Sequence, residues 1–172
     1  MNEIIKALEQ RRSIKKYKPD MVPMEVVQRI ARAGTYAANG QGLQSAIIIA
    51  VTDNATRDEL SKLNASIMNA SFDPFYGAPV VYIVLADKNR FTALYDGSLV
   101  IGNLMLAAYS EGLGSCWIHR AKEEFETEQG KKLLEKLGIK GDYEGVGHCI
   151  IGYPDCDAPK TSPRKENYIY YI

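Results

Sequence analysis

A long apolar segment near the middle of the chain places the strongest limit on the fold. From about Phe91 to Tyr109 the sequence predicts a helix with apolar side chains on nearly every side and small residues such as Gly97 and Gly102 between them. A helix that is apolar all round must be enclosed by protein. It would be ~28 Å long, so a chain of 172 residues has difficulty wrapping it alone, and we expect a second subunit to cover part of it.

The rest of the chain alternates short apolar runs with amphipathic segments. The apolar runs are rich in branched residues and predict buried strands at 46–51, 79–86, 115–119 and 147–152. The amphipathic segments predict helices at 2–10, 23–38, 53–63 and 122–137, with Ile4, Ile5 and Leu8 of the first facing inward. After Pro154 the periodicity ends. We therefore expect one domain over 1–172 with an extended arm at 155–172, in which 168–172 adds a strand or crosses to a partner subunit.

Composition excludes several classes of protein. Lys plus Arg and Asp plus Glu are balanced at 21 each, and no basic run is interleaved with aromatic residues, which argues against nucleic-acid binding. No apolar run reaches the ~20 residues that cross a bilayer, and the first residues lack a secretory pattern, so we expect a cytoplasmic protein. The three cysteines and two histidines have no metal-ligand spacing, and we expect no metal site.

Both ends of the chain carry cations beside hydroxyl side chains. The first cluster reads Arg-Arg-Ser-Ile-Lys-Lys-Tyr over 11–17, and the second reads Pro-Lys-Thr-Ser-Pro-Arg-Lys over 159–165. Arginine can bind two phosphate oxygens at once, while serine and lysine add further donors. The two clusters together therefore predict one bound phosphate, although each alone is more typical of a solvated basic segment.

The first half of the chain resembles the nitroreductase family of flavin oxidoreductases. The basic segment resembles the part of that family that holds the phosphate and ribityl chain of FMN, and the matching positions are Arg11, Arg12, Ser13 and Lys15. Gln44 stands where the family has a flavin-contacting glutamine, although Gly42 and Ser45 replace an asparagine and a proline of the motif. Asn69 resembles the family asparagine that meets the pyrimidine end of the ring.

The second half extends the resemblance over essentially the whole chain. The apolar helix runs into Gly-Leu-Gly and a short strand, and Trp117, Ile118 and His119 are similar to the strand-end residues that line the flavin. In many members an acidic residue and a glycine close that strand, whereas His119 and Arg120 stand there in this sequence. The Gly-Tyr-Pro at 152–154, with Lys160 and Arg164 beyond it, resembles a strand and basic tail that return to the phosphate.

The resemblance implies a fold and an assembly. The expected fold is α+β, a three-layer α/β/α sandwich with a mixed central sheet of four or five strands flanked by helices. The expected assembly is an intertwined homodimer with FMN near the subunit interface.

The implied activity is that of an FMN-dependent NAD(P)H oxidoreductase. A hydride would pass through flavin N5 to a small electrophilic acceptor of the nitroaromatic or quinone type, by a ping-pong mechanism. The flavin performs the chemistry, so no side chain is expected to be catalytic, and Lys15 is expected to tune the flavin electrostatically. Three alternatives remain: an FMN-binding redox sensor or flavin carrier without efficient turnover, a different flavin reaction such as ene-reduction or dehalogenation, and a scaffold protein without a cofactor.

Overall fold

The computed structural model of the protein describes residues 2–172 and contains one four-stranded sheet. The strands are β1 (Ala46–Val51), β2 (Val80–Asp87), β3 (Gly114–Ile118) and β4 (Tyr143–Gly152), in the order β1-β2-β4-β3. We expected a mixed sheet, but all three strand pairs are antiparallel. Within residues 2–172 the one parallel pairing is an isolated bridge between Ser13 and Ser115. The α+β class is confirmed.

The two central strands form the core because their side chains alternate between two apolar layers. In β2, Tyr82 and Val84 belong to one layer, and Val81 and Ile83 belong to the other. All four are completely buried, as expected for a strand covered on both faces. The strand β1 was expected to be buried in the same way but is only partly covered, because it lies at an edge of the sheet.

Residues 2–172 contain six α-helices, of which four lie on the two faces of the sheet. The six helices are α1 (Glu3–Gln10), α2 (Met24–Gly34), α3 (Asn54–Ile67), α4 (Ala93–Ser110), α5 (Ala121–Glu126) and α6 (Glu128–Lys136). The helices α2 and α4 pack on one face, and α3 and α5 pack on the other. This confirms the three-layer sandwich. Asn2 and Asp53 cap α1 and α3 as the sequence predicted, each accepting a hydrogen bond of 2.8 Å from a backbone N–H.

Three predicted helices have other bounds in the structure, and α3 continues to Ile67, four residues beyond its expected end. The segment predicted as one helix over 122–137 is divided at Thr127, whose backbone is extended. The Thr127 hydroxyl accepts from the N–H of Gly130 at 3.1 Å and donates to Glu124 O at 2.6 Å, so one side chain ends α5 and caps α6. The second helix ends at Gly34, four residues before the expected end.

One chain leaves large apolar faces of α1 and α4 exposed. Ile4 and Leu8 of α1 were expected to face inward, but they are 64% and 57% exposed. In α4, Ile101 and Leu104 are completely buried, whereas Tyr95 is 69% exposed. The long apolar helix is therefore enclosed on one side only.

The chain after Pro154 lies on the surface. Residues 155–172 contain no helix or strand and are exposed throughout, so 168–172 adds no strand to the sheet within one chain. In the described part of the chain, no helix combines the length and the apolar character needed to cross a bilayer.

Candidate functional site

The basic segment after α1 runs along the edge of β3. The backbone N–H of Ile14 donates to Ser115 O at 3.0 Å, and the Ile14 side chain is buried. The Tyr17 hydroxyl donates to Ile14 O at 2.7 Å and is buried as well. Because side chains alternate along an extended segment, burial of Ile14 places Ser13 and Lys15 on the exposed side.

Arg11 has a buried donor without an acceptor. Its Nη1 atom is buried and makes no hydrogen bond. Burial raises the pKa of the neighbouring Cys116 thiol, while a hydrogen bond with Ser13 and the charges of Lys15 and Arg11 act in the opposite direction. The side chains of Ser13, Lys15 and Arg11 are thus near enough to act on this thiol. A buried guanidinium nitrogen without a partner costs free energy, so this arrangement fits an anionic ligand supplied from outside the chain.

A cavity of about 170 Å³ opens beside Lys15 at the end of β3. Its lining residues come from three segments of the chain: Lys15, Met68, Phe72, Pro74, Tyr76, Trp117, Ile118, His119 and Arg120. The Lys15 ammonium lies 5.5 Å from the centroid of the Tyr76 ring, which is within the range of a cation–π interaction. Arg120 has a φ of 79°, a left-handed conformation that usually favours glycine.

Asp73 holds the loop that forms one wall of this cavity. Its carboxylate accepts from the side chains of Ser61 and Arg57 and from the N–H groups of Phe75 and Gly77, the last two at 2.8 and 2.7 Å. Burial raises the pKa of Asp73, but these hydrogen bonds outweigh burial and hold that pKa below its ordinary value. The loop presents the rings of Phe72 and Tyr76, which stack with centroids 6.2 Å apart.

The wall loop should depend on the charge of Asp73. Asp73→Asn should lower the free energy of unfolding at pH 7 by about 1 to 3 kcal/mol, because an amide cannot accept all four hydrogen bonds. The folded pKa lies below the unfolded value, so the stabilisation is present above about pH 4 and is lost as the pH falls through the folded pKa. Urea unfolding at pH 7 and pH 3 should show the difference shrinking in acid, with the exposed Asp157→Asn as control. An equal difference at both pH values would refute this.

The predicted glutamine, Gln44, does not line the same cavity as Lys15. It lines a cavity of about 550 Å³ together with Asn39 and Asp96. Its backbone is left-handed, and its N–H donates to Asn39 Oδ1 at 2.8 Å. The buried Asp96 carboxylate fixes this loop by accepting from Gly40 N at 3.0 Å and Ser45 Oγ at 2.6 Å.

The remaining predicted residues are divided between two surfaces. Asn69 follows the end of α3 in a left-handed conformation, next to Met68 of the cavity beside Lys15. The Arg12 guanidinium donates to Glu9 O and Arg11 O, both at 2.7 Å, and lines a separate groove with Cys156. Lys160 and Arg164 are exposed, and within residues 2–172 no hydrogen bond or ion pair joins either of them to Arg11, Ser13 or Lys15.

One chain therefore assembles part of the predicted site. It brings Lys15 into one cavity with Trp117, Ile118 and His119, it holds Arg11 and Ser13 in the segment along the edge of β3, and it leaves Gln44, Lys160 and Arg164 elsewhere. Sequence reasoning did not include Met68 and Arg120 among the site residues. Arg120 stands out in the sequence only as a departure from the family pattern, and the signal for Met68 is its position at the junction between α3 and a loop.

Known proteins share both the sequence pattern and the fold. The profile of the nitroreductase family matches residues 8–74 and 64–153. The chain is 28% identical over 175 residues to the NADPH-flavin oxidoreductase of Vibrio harveyi, a match that covers 95% of this chain and 70% of that protein. The protein belongs to the nitroreductase family.

Solved structures from the same family superpose on nearly the whole chain. A Bacteroides fragilis nitroreductase with bound FMN has a TM-score of 0.90 at 24% identity, with 100% of both chains covered. An FMN-dependent nitroreductase from Clostridium difficile R20291 has a TM-score of 0.86 at 25% identity, with 99% of both chains covered. These structures support the architecture of the sheet and helices described above.

Proposed function

We propose that this protein is an FMN-dependent oxidoreductase that passes a hydride from NAD(P)H to an electrophilic acceptor of the nitroaromatic or quinone type. The observation that carries the proposal is the buried Arg11 Nη1, which has no acceptor and lies in the group formed with Ser13, Lys15 and Cys116. The dianionic phosphate of FMN has the charge and the acceptors that this guanidinium needs. FMN, when bound, supplies the chemistry of hydride acceptance and donation.

Each part of the site has a separate task in this proposal. Arg11 and Ser13 bind the phosphate, and Lys160 and Arg164 are further donors when the tail approaches. Lys15 places a positive charge at the cavity, Asn69 and Gln44 donate to the edges of the ring, and the backbone of 117–119 lines it. The protein's residues bind, orient and tune the cofactor, and no side chain needs to act as a nucleophile or general base.

The wall of the cavity favours flat acceptors. The stacked rings of Phe72 and Tyr76 offer an aromatic surface to a planar ligand. Donor and acceptor would use the same open face of the flavin and cannot stack there together, so they should bind in turn. The proposal therefore includes ping-pong kinetics, with parallel lines in double-reciprocal plots.

A second copy of the chain completes the site in this proposal. The exposed face of α4 and the exposed apolar side chains of α1 together form a surface that a partner subunit can cover. Association across it would bring the Gln44 loop and the basic tail of one subunit toward the cavity of the other. Light scattering should give twice the chain mass of 19.1 kDa, and a purely monomeric species at micromolar concentration would contradict this part.

The proposal as a whole is tested by reconstitution. The purified protein is titrated with FMN and with riboflavin, which lacks the phosphate, and NAD(P)H oxidation is then followed with a quinone or a nitroaromatic acceptor. We expect tight FMN binding, much weaker riboflavin binding, and steady turnover. Equal affinity for the two flavins, or none for FMN, would contradict the phosphate site.

A redox sensor or flavin carrier is the second candidate. His119 and Arg120 favour it, because they stand where many family members have an acidic residue and a glycine, and Arg120 keeps the left-handed backbone of a glycine. Tight FMN binding without steady NAD(P)H oxidation would support this second function over the first.

Lys15 should set the reduction potential of the bound flavin. A cation near the pyrimidine end of the ring stabilises the charge that reduction adds there. Lys15→Ala should lower the two-electron midpoint potential by about 30 mV, equivalent to roughly 1.4 kcal/mol. Lys15→Arg keeps the charge and should retain most of the wild-type potential, as measured by dye equilibration. An unchanged potential with full flavin occupancy in Lys15→Ala would remove Lys15 from this role.

A further inference from the structure

Three polar side chains from different elements form a buried network beneath the end of β3. Asn64 lies in α3, Glu124 in α5 and His148 in β4, and each is completely buried. His148 Nε2 is 2.9 Å from Glu124 Oε2, and the Asn64 amide donates to Glu124 Oε1. Within residues 2–172 no lysine or arginine forms an ion pair with Glu124, so its charge is balanced inside the network alone.

The network holds three successive carbonyl groups of the cavity wall. His148 Nδ1 lies 3.3 Å from Ile118 O, and Asn64 Nδ2 donates to His119 O at 2.9 Å. The backbone N–H of Glu124 donates to Arg120 O at 3.0 Å. Each network residue thus fixes one carbonyl of the turn from β3 to α5, which lines the cavity beside Lys15.

The hydrogen bonds determine where the protons lie. A carbonyl oxygen only accepts, so His148 Nδ1 carries a proton, and both protons of the Asn64 amide are used on His119 O and Glu124. One further proton lies between Glu124 and His148. Whether it resides on the carboxyl group or on the ring, the pair has no net charge, which suits complete burial.

One buried atom of the network has no hydrogen bond, which costs stability. Asn64 Oδ1 is buried without a hydrogen-bond partner, so the amide leaves its own acceptor unsatisfied while its two donors serve His119 O and Glu124. A polar side chain with an unsatisfied acceptor is expected where its donors have a task that packing alone cannot perform. The Asn64 donors hold the turn at Arg120, whose backbone is left-handed. A residue other than glycine keeps this conformation only where the surrounding structure constrains it.

We propose that Asn64, Glu124 and His148 are positioning residues, which fix the backbone of Ile118–Arg120 as the wall against which the reaction takes place. This inference rests on the proposed function for the reaction itself, but the constraint on the turn belongs to the chain without FMN. Because these hydrogen bonds fix the backbone of the cavity wall, the wall keeps its geometry during turnover, as a preorganised site requires.

The test compares two substitutions within the network. Asn64→Ala releases His119 O and leaves Glu124 short of a donor. Glu124→Gln retains every hydrogen bond, because its amide donates to neutral His148 and its carbonyl accepts from Asn64. Leu60→Ala is the matched control, since Leu60 is a buried residue one turn away in α3 whose loss weakens packing without touching the turn.

The readouts are amide hydrogen exchange of 117–121 with and without FMN, the FMN dissociation constant, and the kinetics of the FMN-loaded enzyme. In Asn64→Ala we expect hydrogen exchange in 117–121 to rise at least about tenfold and kcat to fall about tenfold. The KM of the acceptor and the FMN dissociation constant should stay within about threefold of wild type. Glu124→Gln and Leu60→Ala should stay within about threefold of wild type in kcat and in local exchange relative to the rest of the sheet.

Two outcomes would overturn the inference. One is wild-type exchange and kcat in Asn64→Ala, and the other is an equal local effect of Leu60→Ala, which would indicate general loosening of α3. If the wild-type protein binds no FMN, the proposed function fails while exchange in the FMN-free protein still decides the positioning role. Should Asn64→Ala not fold, Asn64→Ser provides the same test, because its hydroxyl can serve only one of the two acceptors.

Discussion

Replacing Arg11 by methionine should weaken FMN binding by about 100-fold, or roughly 2.7 kcal/mol, and leave the FMN-free protein at least as stable as the wild type. The loss of affinity follows from removing a guanidinium that is aimed at a dianion. The FMN-free protein should lose no stability because Nη1 is buried without an acceptor. Methionine fills a similar volume and has no polar group that needs a hydrogen bond. Fluorescence titration with FMN and urea unfolding of the FMN-free protein measure the two effects.

Arg12→Met is the control for this prediction. Arg12 is the same residue type one position along, but its guanidinium already donates to two backbone carbonyls. We therefore expect its replacement to weaken FMN binding by less than about fivefold. Equal losses of affinity in the two variants would show that the segment attracts phosphate through general charge. A large loss of FMN-free stability in Arg11→Met would show that Nη1 has an acceptor within the protein.

The part of the site that the sequence predicts well is the part formed within a single stretch of paired backbone. Lys15 meets Trp117 and His119 because the basic segment pairs with β3, and apolar Ile14 between the polar residues indicates which side faces the core. Gln44 and Arg164 are predicted from their residue types in the same way, but within one chain they lie apart from Lys15. In the proposed dimer their place would depend on contacts with the second subunit, which local patterns do not encode.

The division between α5 and α6 and the buried polar network were missed for different reasons. Thr127 and Gly130 carry a readable signal, because a threonine three residues before a glycine can cap a new helix inside a continuous helical pattern. The network has no such signal, since Asn64 and Glu124 are 60 residues apart in sequence. His148 lies in an apolar strand, where no local pattern indicates a carboxylate partner. Only the packing of α5 on β4 and of α3 on α5 brings the three residues together.

Close packing of α5 on β4 depends on a glycine in the strand. A Cβ atom at Gly145 would lie 2.1 Å from both the carbonyl carbon and the oxygen of Ala121, the first residue of α5. These are backbone atoms, which cannot rotate away as a side chain can, so the helix itself would have to move. Because α5 begins directly after Arg120, the displacement would be transmitted to the turn that lines the cavity.

Gly145→Ala should therefore reduce both stability and activity. We expect a loss of about 3 kcal/mol in the free energy of unfolding and a fall in Tm of about 6 to 12 °C, with a lower kcat in the FMN-loaded enzyme. Gly138→Ala is the matched control, because its added Cβ meets nothing within 4 Å and only its φ of 68° is unfavourable, at a cost of about 1 kcal/mol. Gly138 lies after α6, away from the cavity, so its kcat should not change. Calorimetry and steady-state kinetics on both variants test this prediction. If the Tm of Gly145→Ala is within about 2 °C of that of Gly138→Ala, α5 does not pack on β4 as closely as the fold requires.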